Sequence, residues 1–459
     1  MLDLLIKNGN VVFPKKGVKA VDIGVKNGKI HCLAEKGSNL KATKEIDISG
    51  LHVFPGVIDA HQHLGIYNEI GKDFADTKGH AIGGITTIVN YYREPQSYFN
   101  VIPRLIEEAE KNSYIDFAFS MGILTNQHIK ELEGYIHEFG QTSFKFFRNY
   151  ERRVRDVFKT DDGIDLSSAD LVHILQRFKE ISPKMLLSIH CENMDIQRRL
   201  TSELKKQDLP DNLETWSKTS PGYAEAESLL STLYLNEQVE GNIFIVHLTS
   251  GESVDVLKKS PWLRERGVKV ETCTHYLNLT TEAKCGLHAK IGPPIHHQWD
   301  QDQLWDGISS GIIQAIGTDH CPSTLSKKYG KGEGVWDALF AFPSAGTLLP
   351  SMITKGHFQY GLPLETIADI TSCQLAESFN LTQKGDISVG KDADFAIVDL
   401  NKEQTVKPDL FFSECDYGVF EGMNFRGWPL HTLSRGEFLV KDGNPVMKEA
   451  RGRYVKRSI

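Results

Sequence analysis

Short apolar runs recur through the middle of the chain, most of them followed by a stretch with helical spacing, and this rhythm is absent at both ends. Eight runs read as strands: VFPGVIDAH (53–61), ITTIVNY (85–91), IDFAFSMGI (115–123), SFKFF (143–147), MLLSIH (185–190), NIFIVHL (242–248), VKVETCTH (268–275) and IIQAIGTDH (312–320). Apolar residues at nearly every position imply burial on both faces. VIPRLIEEAEKN, AEAESLLSTLYLNEQ and PLETIADITSCQLAESFN are helical candidates between or after them. Strands alternating with helices make a parallel sheet. Eight such repeats predict a TIM (β/α)8 barrel, whose active site lies at the carboxyl ends of its strands.

The ends differ. LLIKNGNVV and VDIGVKNGKIHCLA read as hairpins around Asn8-Gly9 and Asn27-Gly28, because Asn-Gly favours the positive φ angles of a tight turn. GDISVGKDADFAIVDL and WPLHTLSRGEFLVKDGNPV share that texture. The expected organisation is α/β: residues 1–53 and 385–459 pair as one small β-sandwich, and residues 54–384 form the barrel inserted between them. The closing RGRYVKRS is expected to be a solvated basic end.

Composition narrows the class. A chain of 459 residues with 40% hydrophobic and 24% charged residues is large enough for a barrel and a further unit. The net charge of −8, with no block of lysine and arginine, argues against a nucleic-acid partner. No basic-then-apolar leader opens the chain, and no uncharged apolar run reaches membrane-spanning length, so no membrane partner is expected. Seven scattered cysteines without a C-x-x-C pair point to reduced thiols and a cytoplasmic protein.

Most of the strands end in chemistry. The first finishes in His61-Gln62-His63, the fifth at His190, the sixth at His247 and the eighth at Asp319, while the fourth carries Lys145 among phenylalanines. Residues i and i+2 of a strand point the same way, so His61 and His63 can hold one ion. Imidazole and carboxylate suit Zn²⁺, with Mn²⁺, Co²⁺ or Fe²⁺ as alternatives. An unpaired buried ammonium is costly, and beside two dications it would be repelled. A neutral Lys145 amine can instead take up CO2, giving an anionic carbamate with two oxygens able to bridge two metals.

Together these residues resemble the amidohydrolase superfamily, and within it the hydantoinase/dihydropyrimidinase group of cyclic amidohydrolases. The likeness runs through GVIDAHQHLG, GGITTIV, TSFKFF with Tyr150 five residues beyond the lysine, IHCEN, IVHLTSGES, GPP, GTDHCP and the closing GDISVGKDADFAIVD and EGMNFRGWPLHTLSRGEFLVKDG. The resemblance implies a binuclear centre, with His61, His63 and Asp319 on the more buried metal and His190 and His247 on the other. Carboxylated Lys145 and a hydroxide would bridge the two. Tyr150 would hydrogen-bond the carbonyl oxygen under attack, and Asp319 would move the proton. The family's Ser-Pro-Pro is Gly292-Pro293-Pro294 here, and Ser344 of FPSAG stands where the family has asparagine. Gly292, Ser344 and Tyr67 are therefore substrate-binding candidates, with Tyr91, Tyr92 and Arg93 from the unusual VNYYREP as further pocket residues. His275 and His320 are expected to be structural.

The implied reaction is opening of a hydantoin- or dihydropyrimidine-like ring at its amide C–N bond, giving an N-carbamoyl amino acid. Allantoin or another cyclic amide or urea is the alternative substrate. Dihydroorotase places an arginine two residues beyond its second histidine, and His63-Leu64-Gly65 has none. A non-catalytic scaffold of the same fold is the reading from another class, and it is disfavoured by the complete set of six metal-centre residues. By resemblance the chain is expected to form a homo-oligomer, a tetramer or dimer.

Overall fold

The computed structural model describes residues 1–264, 267–411 and 413–459. Eight parallel strands succeed one another in chain order: Val57–Gln62, Ile85–Tyr92, Asp116–Gly122, Ser143–Phe146, Leu186–Ile189, Ile243–Ile245, Val268–Cys273 and Ala315–Gly317. A Gln62/His320 bridge joins the last strand to the first. Thr318 reinforces that seam, donating its backbone N–H (3.2 Å) and hydroxyl (2.6 Å) to Asp59. The result is a (β/α)8 barrel with Val, Ile, Leu and Phe filling its wall. The expected helical stretches form, among them Tyr98–Asn112 and Gly222–Val239.

The run 53–61, read as one strand, is two. His52–Pro55 pairs antiparallel with Phe395–Thr405 in a second sheet, and only from Val57 does the chain enter the barrel. Gly56 makes this change of sheet possible, because a Cβ there would lie 2.2 Å from Thr86 Oγ1 and 2.8 Å from Asp394 Cβ. The second sheet is a curled one of ten strands drawn from both chain ends. It has its own small core, including Ile6, Ile23, Val53, Phe395 and Leu433. Asn27-Gly28 is the expected hairpin turn, with φ of 52° and 74°, joining Gly17–Lys26 to Lys29–Glu35. Asn8-Gly9 is not a hairpin. Leu2–Lys7 and Asn10–Phe13 both pair with the long strand Gly17–Lys26, so the dipeptide is a jog between two segments lying along one neighbour.

Sandwich and barrel are tied by buried charge. Lys384 donates to Asp116 (2.6 Å), at the base of the third barrel strand, and reaches Asp394 (2.7 Å) and Asp392 (2.9 Å); Arg435 also pairs with Asp116. The basic C-terminus, expected to be solvated, is instead folded against the barrel's amino-terminal end. Phe117 donates to Arg453 O and accepts from Val455 N, and the buried Arg457 donates to Ser143 Oγ (2.8 Å) and to Phe119 O. Unpaired main chain at the start of the third strand supplies partners that a charge-run reading overlooks.

Candidate functional site

The carboxyl ends of the strands open onto a cavity of about 340 Å3 lined by His63, Lys145, His190, His247 and Asp319, with Tyr67, Tyr150 and Gly292 farther round its wall. His61 lies just beneath, fully buried. Its Nε2 is 3.2 Å and that of His63 3.0 Å from Asp319 Oδ1. The His61 ring stacks 5.4 Å from that of His247, which meets His190 edge-on at 4.5 Å. The predicted six side chains thus come together. Two of them, His247 (φ 43°) and Asp319 (φ 50°), sit in the left-handed region, which non-glycine residues occupy chiefly where surrounding structure holds them there.

Lys145 enters from the fourth strand, flanked in register by Gly122 and Ser188. Its Nζ lies 4.5 Å above the ring of Tyr91, whose hydroxyl donates to Ser188 Oγ at 2.8 Å. The amine is buried and has no hydrogen-bond partner among the described residues; burial lowers its pKa from the usual lysine value to about 8. Burial also lowers His61 to about 3 and His63 to about 4, which keeps both imidazoles neutral and able to donate lone pairs. Burial pushes the Asp319 carboxyl upward, but His61 and His63 more than offset it and hold the group below the usual carboxylate range.

Two acids at the site were not singled out in the sequence. Glu271, from the seventh strand, lies 2.7 Å from His61 Nδ1 and accepts from the backbone N–H of His247 at 3.1 Å. In its carboxylate form Glu271 would hold the proton on His61 Nδ1 and leave the Nε2 lone pair toward Asp319. Burial raises Glu271 to about 8. Gly317 makes room for it, since a Cβ there would come within 2.3 Å of Glu271 Oε1 and 2.8 Å of His61 Cβ. Glu192 accepts from His190 Nε2 at 2.9 Å. Signals existed for both: Glu271 is a charge inside the apolar VKVETC, as Lys145 is inside SFKFF, and Glu192 stands two residues after His190.

Other candidates are placed as follows. Tyr150, on the short helical turn Arg148–Tyr150, faces the cavity, and its hydroxyl accepts from Arg93 Nε at 2.9 Å. Tyr67, Gly292 and Arg93 also line the cavity. Ser344 does not; its hydroxyl donates to Thr318 O (3.1 Å) and its N–H to His320 Nδ1 (2.9 Å), behind the eighth strand. Sequence position alone could not show that this loop turns away. Tyr91 is buried under Lys145, and Tyr92 donates to Glu94 at 2.5 Å outside the cavity. His320 packs edge-on against His80 at 5.0 Å, and His275 is buried against Tyr276 and Phe342.

The donor set fits a pair of divalent cations. His61 Nε2, His63 and Asp319 converge within one ion's reach, while His190 and His247 adjoin them. Among the described residues the Lys145 amine and His247 Nδ1 are buried without hydrogen-bond partners and border the same cavity, as groups that engage a bound ligand would.

Fold and site define a class: a (β/α)8 barrel whose carboxyl-end rim gathers imidazoles, a carboxylate and one buried amine. Residues 52–439 match the amidohydrolase family, and the chain belongs to it. It is 31% identical to a D-hydantoinase of Geobacillus stearothermophilus, over 99% of this chain and 96% of the relative. It is 30% identical to an allantoinase of Desulfitobacterium hafniense, over 99% and 98%. Its fold superposes on the crystal structure of dihydropyrimidinase from Brevibacillus agri with a TM-score of 0.89, at 29% identity, covering 100% of this chain and 99% of that one.

Proposed function

We propose that the protein is a binuclear metal-dependent cyclic amidohydrolase, opening a hydantoin- or dihydropyrimidine-like ring to an N-carbamoyl amino acid. The observation that carries this reading is the convergence of His61, His63, His190, His247, Asp319 and an orphaned Lys145 amine on one cavity. Relatives named hydantoinase, allantoinase and dihydropyrimidinase support the ring-amide substrate class. His61, His63 and Asp319 would hold one ion, His190 and His247 the other, with zinc the metal best suited to these donors. Lys145, as the carbamate formed from its neutral amine and CO2 with release of a proton, would supply an oxygen to each.

Bound there, two divalent ions supply Lewis acidity and a water that ionises near neutral pH. Tyr150, with its oxygen already accepting from Arg93, directs its hydroxyl hydrogen toward the substrate carbonyl and stabilises charge growing on that oxygen. Asp319, at the junction of the histidine groups, takes the proton from the attacking water and delivers it to the departing ring nitrogen. Gly292 and Tyr67 border the space left for the ring. No acyl-enzyme is needed, so the ring opens in one hydrolytic cycle. A homo-oligomeric, cytoplasmic enzyme completes the reading. Among the described residues no helix is long and apolar enough to cross a membrane, and all seven cysteines are free.

The test is a screen of zinc- and manganese-loaded protein against hydantoin, dihydrouracil, allantoin, dihydroorotate and related imides. Metal-dependent opening of a hydantoin or dihydropyrimidine ring is expected. Absence of turnover on every ring with both metals bound would remove the assignment.

A further inference from the structure

The cavity holds two cations that the chemistry above does not use as such. Arg93 follows the second barrel strand, half-buried, and Arg153 follows the turn that carries Tyr150; both line the cavity. Both adjoin Tyr150, Arg93 through its side chain and Arg153 through its backbone. Arg93 Nε donates to its hydroxyl at 2.9 Å, and Arg153 N donates to its carbonyl at 2.8 Å.

Neither guanidinium has an acidic partner among the described residues. The nearest acids in sequence are committed elsewhere: Glu94 pairs with Arg104 at 2.8 Å and Glu151 lies 4.0 Å from Arg152. The carboxylates that line the cavity, Glu192 and Asp319, are engaged by His190 and by His61 and His63. Two unmatched guanidiniums therefore face one cavity in a chain whose net charge is −8. Arg93 is held by its Nε and by the rings of Phe147 (5.1 Å) and Tyr150 (5.4 Å), which leaves its two terminal nitrogens as a fixed fork. Such a fork matches the two oxygens of a carboxylate.

We propose that the substrate ring carries an anionic arm, a carboxylate on a short chain, which Arg93 grips and Arg153 draws in from the rim. This rests on the hydrolase reading above and specifies its substrate class. Because Arg93 also bonds Tyr150, seating the anion and presenting the ring carbonyl to the tyrosine are one event.

The experiment compares two ligands of equal shape on the zinc-loaded protein: hydantoin bearing an acetate arm on its ring carbon, and the same ring bearing the acetamide arm. The acid is expected to be preferred in kcat/KM by at least about tenfold. Arg153→Gln should lower that ratio severalfold through the KM of the acid alone. Arg93→Gln should bring the ratio to about one, while also slowing both substrates through Tyr150. Equal kcat/KM for the two arms, or a ratio untouched by either variant, would overturn the proposal. If neither ring opens, equilibrium dialysis of both ligands decides. Tighter binding of the acid by the same margin, lost in Arg93→Gln, supports the anion site and removes only the hydrolase reading. Equal binding overturns the anion site.

Discussion

Lys145 is the residue on which the site turns. SFKFF offers an ammonium only the Phe147 ring at 5.7 Å, and among the described residues no side chain hydrogen-bonds the amine. Burial lowers its pKa to about 8, so the neutral amine needed to attack CO2 is plentiful at mildly alkaline pH and scarce in acid. The depressed value favours the uncharged form as pH rises through it. At equal dissolved CO2, recovery of activity in metal-stripped protein should therefore be slower at pH 6.5 than at pH 8.5 by roughly twentyfold, following the neutral fraction. A pH-independent recovery rate, measured by stopped assay after adding zinc with dissolved CO2 held at the same concentration at each pH, would contradict this. Asp319 makes a second residue-scale prediction. Asp319→Asn keeps an oxygen for the metal but cannot accept a proton, so it should retain most of its metal and lose on the order of a hundredfold or more in kcat. Metal content and turnover measured on the same sample separate the two effects.

At the scale of elements, the barrel strands were legible because burial on both faces writes a continuous apolar run, and seven of the eight runs each match one observed strand to within a few residues. The candidate ligand positions were legible only jointly: His275 and His320 also end such runs and are structural, so it is the gathering of several histidines, Asp319 and Lys145 on one barrel end that carries the signal. What periodicity could not show was a change of sheet inside one run. VFPGVIDAH reads as one strand, yet Gly56 splits it between sandwich and barrel. Nor could it show that Ser344 faces away from the cavity, since loop direction depends on the packing beneath it. A lone acid in a strand, as Glu271 is, resembles an edge residue until its partners are seen. The Lys384 cluster was likewise invisible, being assembled from residues 116, 384, 392, 394 and 435. Lys384→Met would leave buried carboxylates without their central cation, and should destabilise the protein by about 3–5 kcal/mol in chemical denaturation. A change within error would mean that solvent reaches the cluster.

At the scale of the molecule, the two ends of the barrel have separate tasks. The carboxyl end carries the cavity. The amino end is capped by the C-terminal segment, whose Tyr454 ring lies 5.9 Å from those of Phe117 and Phe119 and whose Arg457 is buried below. Deleting residues 451–459 would uncover these aromatics and free main-chain groups of the third strand. The thermal midpoint should fall by several degrees, while the metal stoichiometry of the remaining folded protein stays unchanged. Loss of metal with an unaltered midpoint would show that the segment supports the site instead of the base.

An anomalous difference map from crystals of the metal-loaded protein bears most directly on the whole account. We expect two peaks sharing the cavity, one contacted by His61, His63 and Asp319 and the other by His190 and His247, with density for a carboxyl group on Lys145 Nζ reaching both. A bare lysine amine with no peak among those five side chains, in protein that had taken up zinc, would contradict it.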